Sequence, residues 1–269
     1  MKRITIAALA FVLAVASALP VIAKGEKEPK AAVLKIGATP VPHAEMLAEL
    51  VDDLASRGIK LEIIEFTDYV TPNTALISGD IDANFFQHIP YLQSNDEWTT
   101  RLVSAFGVHI EPFGLYSDKY DSIDALPSGA TIAIPNDPSN GGRALLLLQD
   151  NGLITLKPDA GLEATELDIV SNPKNIKFRA IEAAQLPRSL QDVDAACING
   201  NYALDAGLSP VDDSIVIEDA DSPYVNIVVV RKGMETDPRI LALRDALTSA
   251  EIRDFISGKW QDGSVVAIF

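Results

Sequence analysis

The sequence is poor in cysteine, histidine and aromatic residues. Cys197 is its only cysteine, so no internal disulfide can form and a small disulfide-rich class is excluded. The three histidines (His43, His88 and His109) lack the close spacing of known metal motifs, so we expect no metal and no other cofactor. Hydrophobic residues nevertheless make up 48% of the 269 positions, enough to bury a full core in one large domain or two lobes.

Positive charge and catalytic motifs are also scarce. Acidic residues outnumber basic ones by 38 to 22, and the net charge of −16 disfavours binding to nucleic acid or to an anionic membrane surface. The sequence has no nucleophile-elbow motif, no zinc-protease motif and no glycine-rich phosphate loop. We therefore expect a binding protein that performs no catalysis, and we expect it to be a monomer.

The first 23 residues have the pattern of a signal peptide. Lys2 and Arg3 precede an apolar run over 4–18, and Val21-Ile22-Ala23 offers a small-residue cleavage site. The alternative is a retained membrane anchor, because 4–23 is just long enough to span a bilayer. Pro20 and the shortness of the run favour cleavage. Residues 24–30 are highly charged and are predicted to be a polar tether.

Strand and helix patterns alternate along the rest of the chain. Strands are predicted at 33–37, 61–66 and 81–86, with helices at about 46–57 and 71–78, which indicates a mostly parallel sheet flanked by helices. The same pattern returns in the second half, with strands at 130–135, 176–180 and 195–198 and a helix that begins near Arg143.

A long β-branched run at 224–231 predicts a strand that rejoins the first sheet, and helices follow over 238–260. The sequence thus predicts an α/β protein with two lobes, one comprising 31–117 plus 223–269 and the other 118–222. Two crossovers between such lobes create a cleft, where ligands of open α/β sheets bind.

Residues 136–143 form the first segment that suggests a ligand site. Gly141 and Gly142 would let a ligand approach the backbone, a helix start would present free N–H groups, and Arg143 offers a planar fork for a carboxylate. The alternative is that Asp137 or Ser139 caps the helix while Arg143 is a solvated surface residue.

Two further segments combine aromatic and amide side chains. Tyr69, Phe86, His88 and Tyr91 lie at or near predicted strand ends, where they would line an apolar pocket. The alternative is that Phe85 and Phe86 fill the core; this is favoured for Phe85, and alternation along the strand then directs Phe86 to the opposite face. Asn199, Asn201 and Asn226 interrupt or follow apolar strands. Because a buried amide requires partners, a ligand or a neighbouring backbone must supply them.

The same segments resemble the MetQ/NlpA family of methionine-binding proteins. The similarity extends over nearly all of 33–231 and is most specific at 36–45, 68–73, 82–92, 136–145 and 199–203. The resemblance implies a type II periplasmic-binding-protein fold that captures L-methionine and delivers it to the permease and ATPase subunits of an ABC importer. One departure is that no cysteine follows the signal, so we expect a periplasmic protein and leave membrane association open.

The resemblance also implies roles for eight residues. The thioether pocket would consist of Tyr69, Phe86, His88 and Tyr91, and Arg143 would take the ligand carboxylate. Asn226 and one of Asn199 or Asn201 would hold the amino-acid backbone. Alternative functions are the binding of another apolar amino acid or a Met-containing dipeptide, or a surface antigen or adhesin on the same scaffold.

Overall fold

The computed structural model describes residues 31–219 and 222–269. The predicted signal peptide (1–23) and tether (24–30) lie outside the described residues. In those two ranges the chain forms two large sheets with helices packed on their faces, as the α/β prediction requires. No helix in them has both the length and the apolar character that a bilayer crossing requires.

Sheet 1 has six strands in the order β13-β4-β12-β3-β1-β2. Its strands are β1 (Ala32–Ala38), β2 (Ile59–Glu65), β3 (Ala83–His88), β4 (Leu102–Ile110), β12 (Asn226–Arg231) and β13 (Val266–Ala267). Strands β2, β1 and β3 are parallel, whereas β12 runs antiparallel to both β3 and β4. Alternate residues of β1, such as Leu34 and Ile36, are fully buried in the core beneath this sheet.

Sheet 2 has five strands in the order β11-β5-β10-β6-β9. They are β5 (Gly114–Tyr116), β6 (Thr131–Pro135), β9 (Lys177–Ile181), β10 (Ala195–Ile198) and β11 (Ser214–Ile217). Strands β10, β6 and β9 are parallel, and β5 pairs antiparallel with β10. A separate two-stranded sheet joins β7 (Thr155–Leu156) to β8 (Ile169–Ser171).

Ten α-helices connect and cover these strands in the described part of the chain. They are α1 (Glu45–Ala48), α2 (Val51–Ser56), α3 (Thr71–Ser78), α4 (Ile89–Gln93), α5 (Asp96–Arg101), α6 (Pro138–Asp150), α7 (Leu186–Ser189), α8 (Gly200–Asp205), α9 (Pro238–Leu247) and α10 (Ala250–Lys259). The helix predicted at 71–78 therefore has the predicted bounds.

Helix α6 begins five residues before the predicted start at Arg143, which corrects the expected role of the two glycines. Asp137 caps the helix by accepting a hydrogen bond from the Asn140 amide at 2.8 Å. Gly142 is consequently a helical residue, and a Cβ there would lie 2.2 Å from the Leu162 carbonyl oxygen. Gly142 is therefore required because the loop at 162–164 packs closely against it. It is not required to let a ligand approach the backbone.

The sheets are mixed, where the sequence suggested mostly parallel ones. The reason is the connection between them: β12 enters sheet 1 from sheet 2, so it runs opposite to β3 and β4. Strand β5 pairs in sheet 2, although it precedes the lobe boundary predicted at 117. In the structure the chain passes from sheet 1 to sheet 2 between β4 and β5 and returns between β11 and β12. The lobe boundaries themselves, with crossovers expected near Tyr116 and Pro223, stay a prediction.

Candidate functional site

The topology brings the ends of several strands to one place between the two sheets. Strands β3 and β4 end where β12 begins, and in this register Asn226 pairs with both His88 and His109. On the other side, β6 and β10 end together, with Ile198 opposite Gly114 at the start of β5. The residues that follow these strand ends therefore face a common space.

A cavity occupies this space, and all eight predicted ligand residues line it. Its volume is about 330 Å³, including its open mouth. The lining consists of Tyr69, Phe86, His88, Tyr91, Arg143, Asn199, Asn201 and Asn226, together with Gln87, Glu111, Asn140 and Gly200. The structure thus assembles residues that are as much as 157 positions apart in sequence, while their predicted contacts with a ligand stay predictions.

One wall of the cavity is aromatic. The Tyr69 ring lies 5.8 Å from that of Phe86 and 5.7 Å from that of Tyr91, measured between centroids. Tyr202 extends the cluster at 4.8 Å from Tyr69. Alternation along β3 buries Phe85 fully in the core and directs Phe86 to the cavity, as the sequence analysis favoured. This wall suits an apolar, polarizable ligand chain.

The tautomer of His88 follows from its hydrogen bonds. Its Nδ1 accepts from the Tyr91 amide at 3.1 Å, so its Nε2 carries the proton and donates to Asn140 Oδ1 at 3.2 Å. Asn140 Oδ1 also accepts from Asn199 Nδ2 at 2.8 Å, and Asn140 Nδ2 donates to Asp137. This chain of bonds fixes His88 and Asn199 relative to helix α6.

The amide oxygens of the three predicted asparagines differ in their partners. Asn201 Oδ1 accepts from the Tyr69 hydroxyl at 2.5 Å, and Asn226 Oδ1 lies 3.0 Å from His43 Nε2. Asn199 Oδ1, by contrast, is buried and has no hydrogen-bond partner in the described residues. A buried acceptor without a partner is costly, so Asn199 Oδ1 is the atom of this set that most needs a donor from a ligand.

Arg143 has a protein partner that the sequence analysis did not identify. Its Nε donates to Glu218 Oε1 at 3.0 Å and its Nη2 pairs with Glu218 Oε2. The Nη2 also donates to the Glu111 carbonyl oxygen at 3.2 Å, and the guanidinium lies 4.1 Å from the Tyr224 ring and 4.9 Å from the Phe113 ring. Arg143 is 4% exposed, which excludes the alternative of a solvated surface residue.

A buried cluster of two histidines and one glutamate lies behind the cavity. His109 Nε2 is 2.7 Å from Glu111 Oε1, His43 Nε2 is 3.4 Å from the same oxygen, and His43 Nδ1 bonds to Thr39 Oγ1 at 2.7 Å. One possible metal-ligating atom from each of His43, His109 and Glu111 lies within 4.8 Å of the other two, close enough to surround a metal ion. Tetrahedral zinc ligands would stand about 3.3 Å apart, so the 2.7 Å separation is that of a hydrogen bond.

Burial keeps the histidines of this region uncharged near neutral pH. It lowers the pKa of His43 to about 4 and that of His109 to about 3. Burial together with the charge of Arg143 lowers the pKa of His88 to about 3. Burial raises the pKa of Glu111, although the adjacent histidine and Arg143 oppose this change.

Glu111, Glu218, Asn140 and Gln87 are the site residues that sequence reasoning missed. A usable signal existed for one of them: His109 and Glu111 alternate within an otherwise apolar stretch, so both side chains project from the same side of the chain. Asn140 belonged to the segment singled out at 136–143. Glu218 carries no comparable sequence signal.

Known proteins are similar to this chain in both sequence and structure. Membrane lipoprotein TpN32 of Treponema pallidum is 42% identical over 86% of each chain, and the D-methionine-binding lipoprotein MetQ of Salmonella typhimurium is 44% identical over 89% of each. A nutrient-binding protein from Burkholderia cenocepacia, solved bound to methionine, is 48% identical with a TM-score of 0.83 and covers 88% of this chain and 100% of its own. The NlpA lipoprotein family model matches residues 34–269, so the chain belongs to the NlpA lipoprotein family.

Proposed function

We propose that this chain is an extracytoplasmic solute-binding protein that captures L-methionine between its two lobes. The observation that carries the proposal is the composition of the cavity: an aromatic wall of Tyr69, Phe86 and Tyr91 faces amide and charged groups. Such a cavity matches a ligand with one long apolar chain and one zwitterionic end. The names of the relatives, which describe binding of D-methionine or a structure with methionine, support the same ligand class.

Each part of an amino acid has a matching group in this proposal. Arg143 takes the carboxylate through Nη1, the guanidinium nitrogen that does not contact Glu218. The side-chain amide nitrogens of Asn201 and Asn226 donate hydrogen bonds to the amino-acid backbone of the ligand, since their amide oxygens already have protein partners. His88, neutral and fixed by Asn140, borders the thioether chain with the three aromatic residues. The ligand is released unchanged to the permease and ATPase subunits of an importer.

The proposal includes export to the periplasm and a monomeric state. It assigns the cavity ligand binding without a chemical step, which the names of the relatives as binding proteins support. Cys197, the single thiol, is fully buried and its burial raises its pKa.

The test is to identify what the purified protein carries and prefers. Mass spectrometry of small molecules released on denaturation should detect methionine, and chiral separation should identify its enantiomer. Calorimetry with L-methionine, D-methionine, leucine and a Met-containing dipeptide should then rank L-methionine first. A protein that carries nothing and responds to none of these ligands would favour the antigen or adhesin function.

A further inference from the structure

A groove beside the Arg143–Glu218 pair is distinct from the ligand cavity. Its volume is about 900 Å³, including its open mouth, which is within the range of small-molecule sites. Helix α6, the segment at Leu162 and the two ends of the crossover from β11 to β12 form its walls. Arg143 is the residue that the linings of the groove and of the cavity share, so the groove is a second space that the proposed function does not use.

Part of the groove is apolar. Leu146 and Leu147 of α6 line it, together with Leu162, Ile217 and Pro223 from the two opposite walls. Leu162 is 42% exposed and Ile217 is 36% exposed. Single exposed apolar side chains are common on a protein surface, but several that share one concave surface indicate a binding site. The groove therefore offers apolar contact to a ligand chain.

The ionisable groups of the groove carry an excess of negative charge. Asp150, Glu218 and Asp219 line it, and Arg143 is the cation that lines it with them. The guanidinium of Arg143 already pairs with Glu218, with 3.0 Å between Nε and Oε1. Within the described residues, no ion pair joins Asp150 or Asp219 to a cation. Two free carboxylates beside an apolar surface are complementary to a positively charged ligand group.

An independent observation at Tyr224 indicates a hydrogen-bonding ligand. Tyr224 lines the groove, is 3% exposed, and its hydroxyl is buried without a hydrogen-bond partner in the part of the chain that the structure describes. Burial raises the pKa of Tyr224 to about 12, so the hydroxyl stays protonated and neutral near pH 7. A buried hydroxyl without a partner is costly, and a groove ligand that donates a hydrogen bond to it would remove that cost.

From these observations we propose that the groove is a second binding site, whose ligand is a small amphiphilic cation: a primary ammonium group on an unbranched apolar chain. The chain packs against Leu162 and Ile217, and the ammonium group interacts with Asp150 and Asp219 and donates to the Tyr224 hydroxyl. Anionic ligands of the same length bind poorly, because the two carboxylates repel them. The site goes beyond the proposed function, since its ligand needs no carboxylate and does not occupy the ligand cavity.

The test compares probes that have the same chain and different head groups. Hexylamine, hexanol and hexanoate are titrated into the methyl-labelled protein and followed by NMR. The methyl signals of Leu162 and Ile217 report the groove specifically, because neither residue lines the ligand cavity. We expect hexylamine to shift these signals and to bind roughly 3- to 10-fold more tightly than hexanol, since its charge meets two exposed carboxylates. Hexanoate should bind more weakly than hexanol.

Three variants separate a specific site from general attraction to an acidic protein. Asp150→Asn/Asp219→Asn should remove the preference for hexylamine over hexanol, whereas Tyr224→Phe should weaken hexylamine roughly two- to tenfold through the lost hydrogen bond. Asp121→Asn/Asp124→Asn removes two exposed carboxylates outside the groove, changes the net charge equally, and should leave the preference intact.

Three results would overturn the proposal. They are the absence of shifts at Leu162 and Ile217 with hexylamine, equal binding of the three probes, and equal effects of the two double variants. Each of them leaves methionine binding in the ligand cavity unaffected, so the second site and the proposed function fail separately.

Discussion

Replacement of Arg143 should affect both folding and ligand binding, and the two effects can be separated. In the free protein Arg143→Ala leaves Glu218, whose side chain is 17% exposed, without its cationic partner. Loss of a fully buried partner costs about 3–5 kcal/mol, and the partial exposure of Glu218 reduces this to about 1–3 kcal/mol. The contacts with Tyr224 and Phe113 are lost as well.

The second effect is on affinity. If Arg143 binds the ligand carboxylate in a site closed from water, Arg143→Ala should weaken methionine binding by about 2–4 kcal/mol, on the order of 30- to 1000-fold. Arg143→Lys should recover only part of this loss. The lysine ammonium lacks the planar guanidinium group with which arginine can contact Glu218 and the ligand carboxylate at the same time. Calorimetry measures the affinity, and urea unfolding measures the stability.

The double variant Arg143→Ala/Glu218→Gln distinguishes the two roles. Since it removes the unpaired carboxylate, it should regain stability relative to Arg143→Ala. Its methionine affinity should stay low, because the ligand carboxylate still lacks a partner. Recovery of wild-type affinity in the double variant would mean that Arg143 serves only to neutralise Glu218, and the proposed carboxylate contact would be wrong.

Three more predictions concern specificity, pH and export. Phe86→Ala should weaken methionine more than leucine in a competition titration, because it removes the sulfur–aromatic contact, worth roughly 0.3–1.5 kcal/mol; equal losses would contradict this. The unfolded state binds more protons than a folded state with a depressed His109 pKa, so wild-type stability should fall as the pH decreases from about 6.5 toward 3. In urea unfolding, His109→Phe should reduce the change of unfolding free energy with pH by up to about 1.4 kcal/mol per pH unit. An unchanged pH dependence would show that the depressed His109 pKa is not its cause. The exported protein should begin near Lys24 without an acyl group, and intact-mass measurement of a chain starting at Met1, or of a diacyl adduct, would contradict this.

The sequence predicted most of what depends on local patterns. The helix expected between two predicted strands at 71–78 is α3, Thr71–Ser78, and alternation assigned Phe85 to the core and Phe86 to the opposite face, which borders the cavity. Family resemblance selected eight residues that the structure places around one cavity. The start of α6 was placed too late, near Arg143, because Gly141 and Gly142 suggested a loop, whereas the alternative in which Asp137 caps the helix is confirmed.

The two carboxylates could not be predicted in the same way, because their positions depend on the topology. Glu111 follows a strand that was not predicted, and it reaches the cavity only because β4 ends beside the start of β12. Glu218 follows β11 by one residue and meets Arg143, 75 positions away, only when β11 joins β5 at the edge of sheet 2. Each carboxylate thus lies where the chain passes between the sheets, so a ligand group bound there contacts the connecting segments directly. Both carboxylates are therefore located in the segments that join the two sheets, which local sequence patterns do not describe.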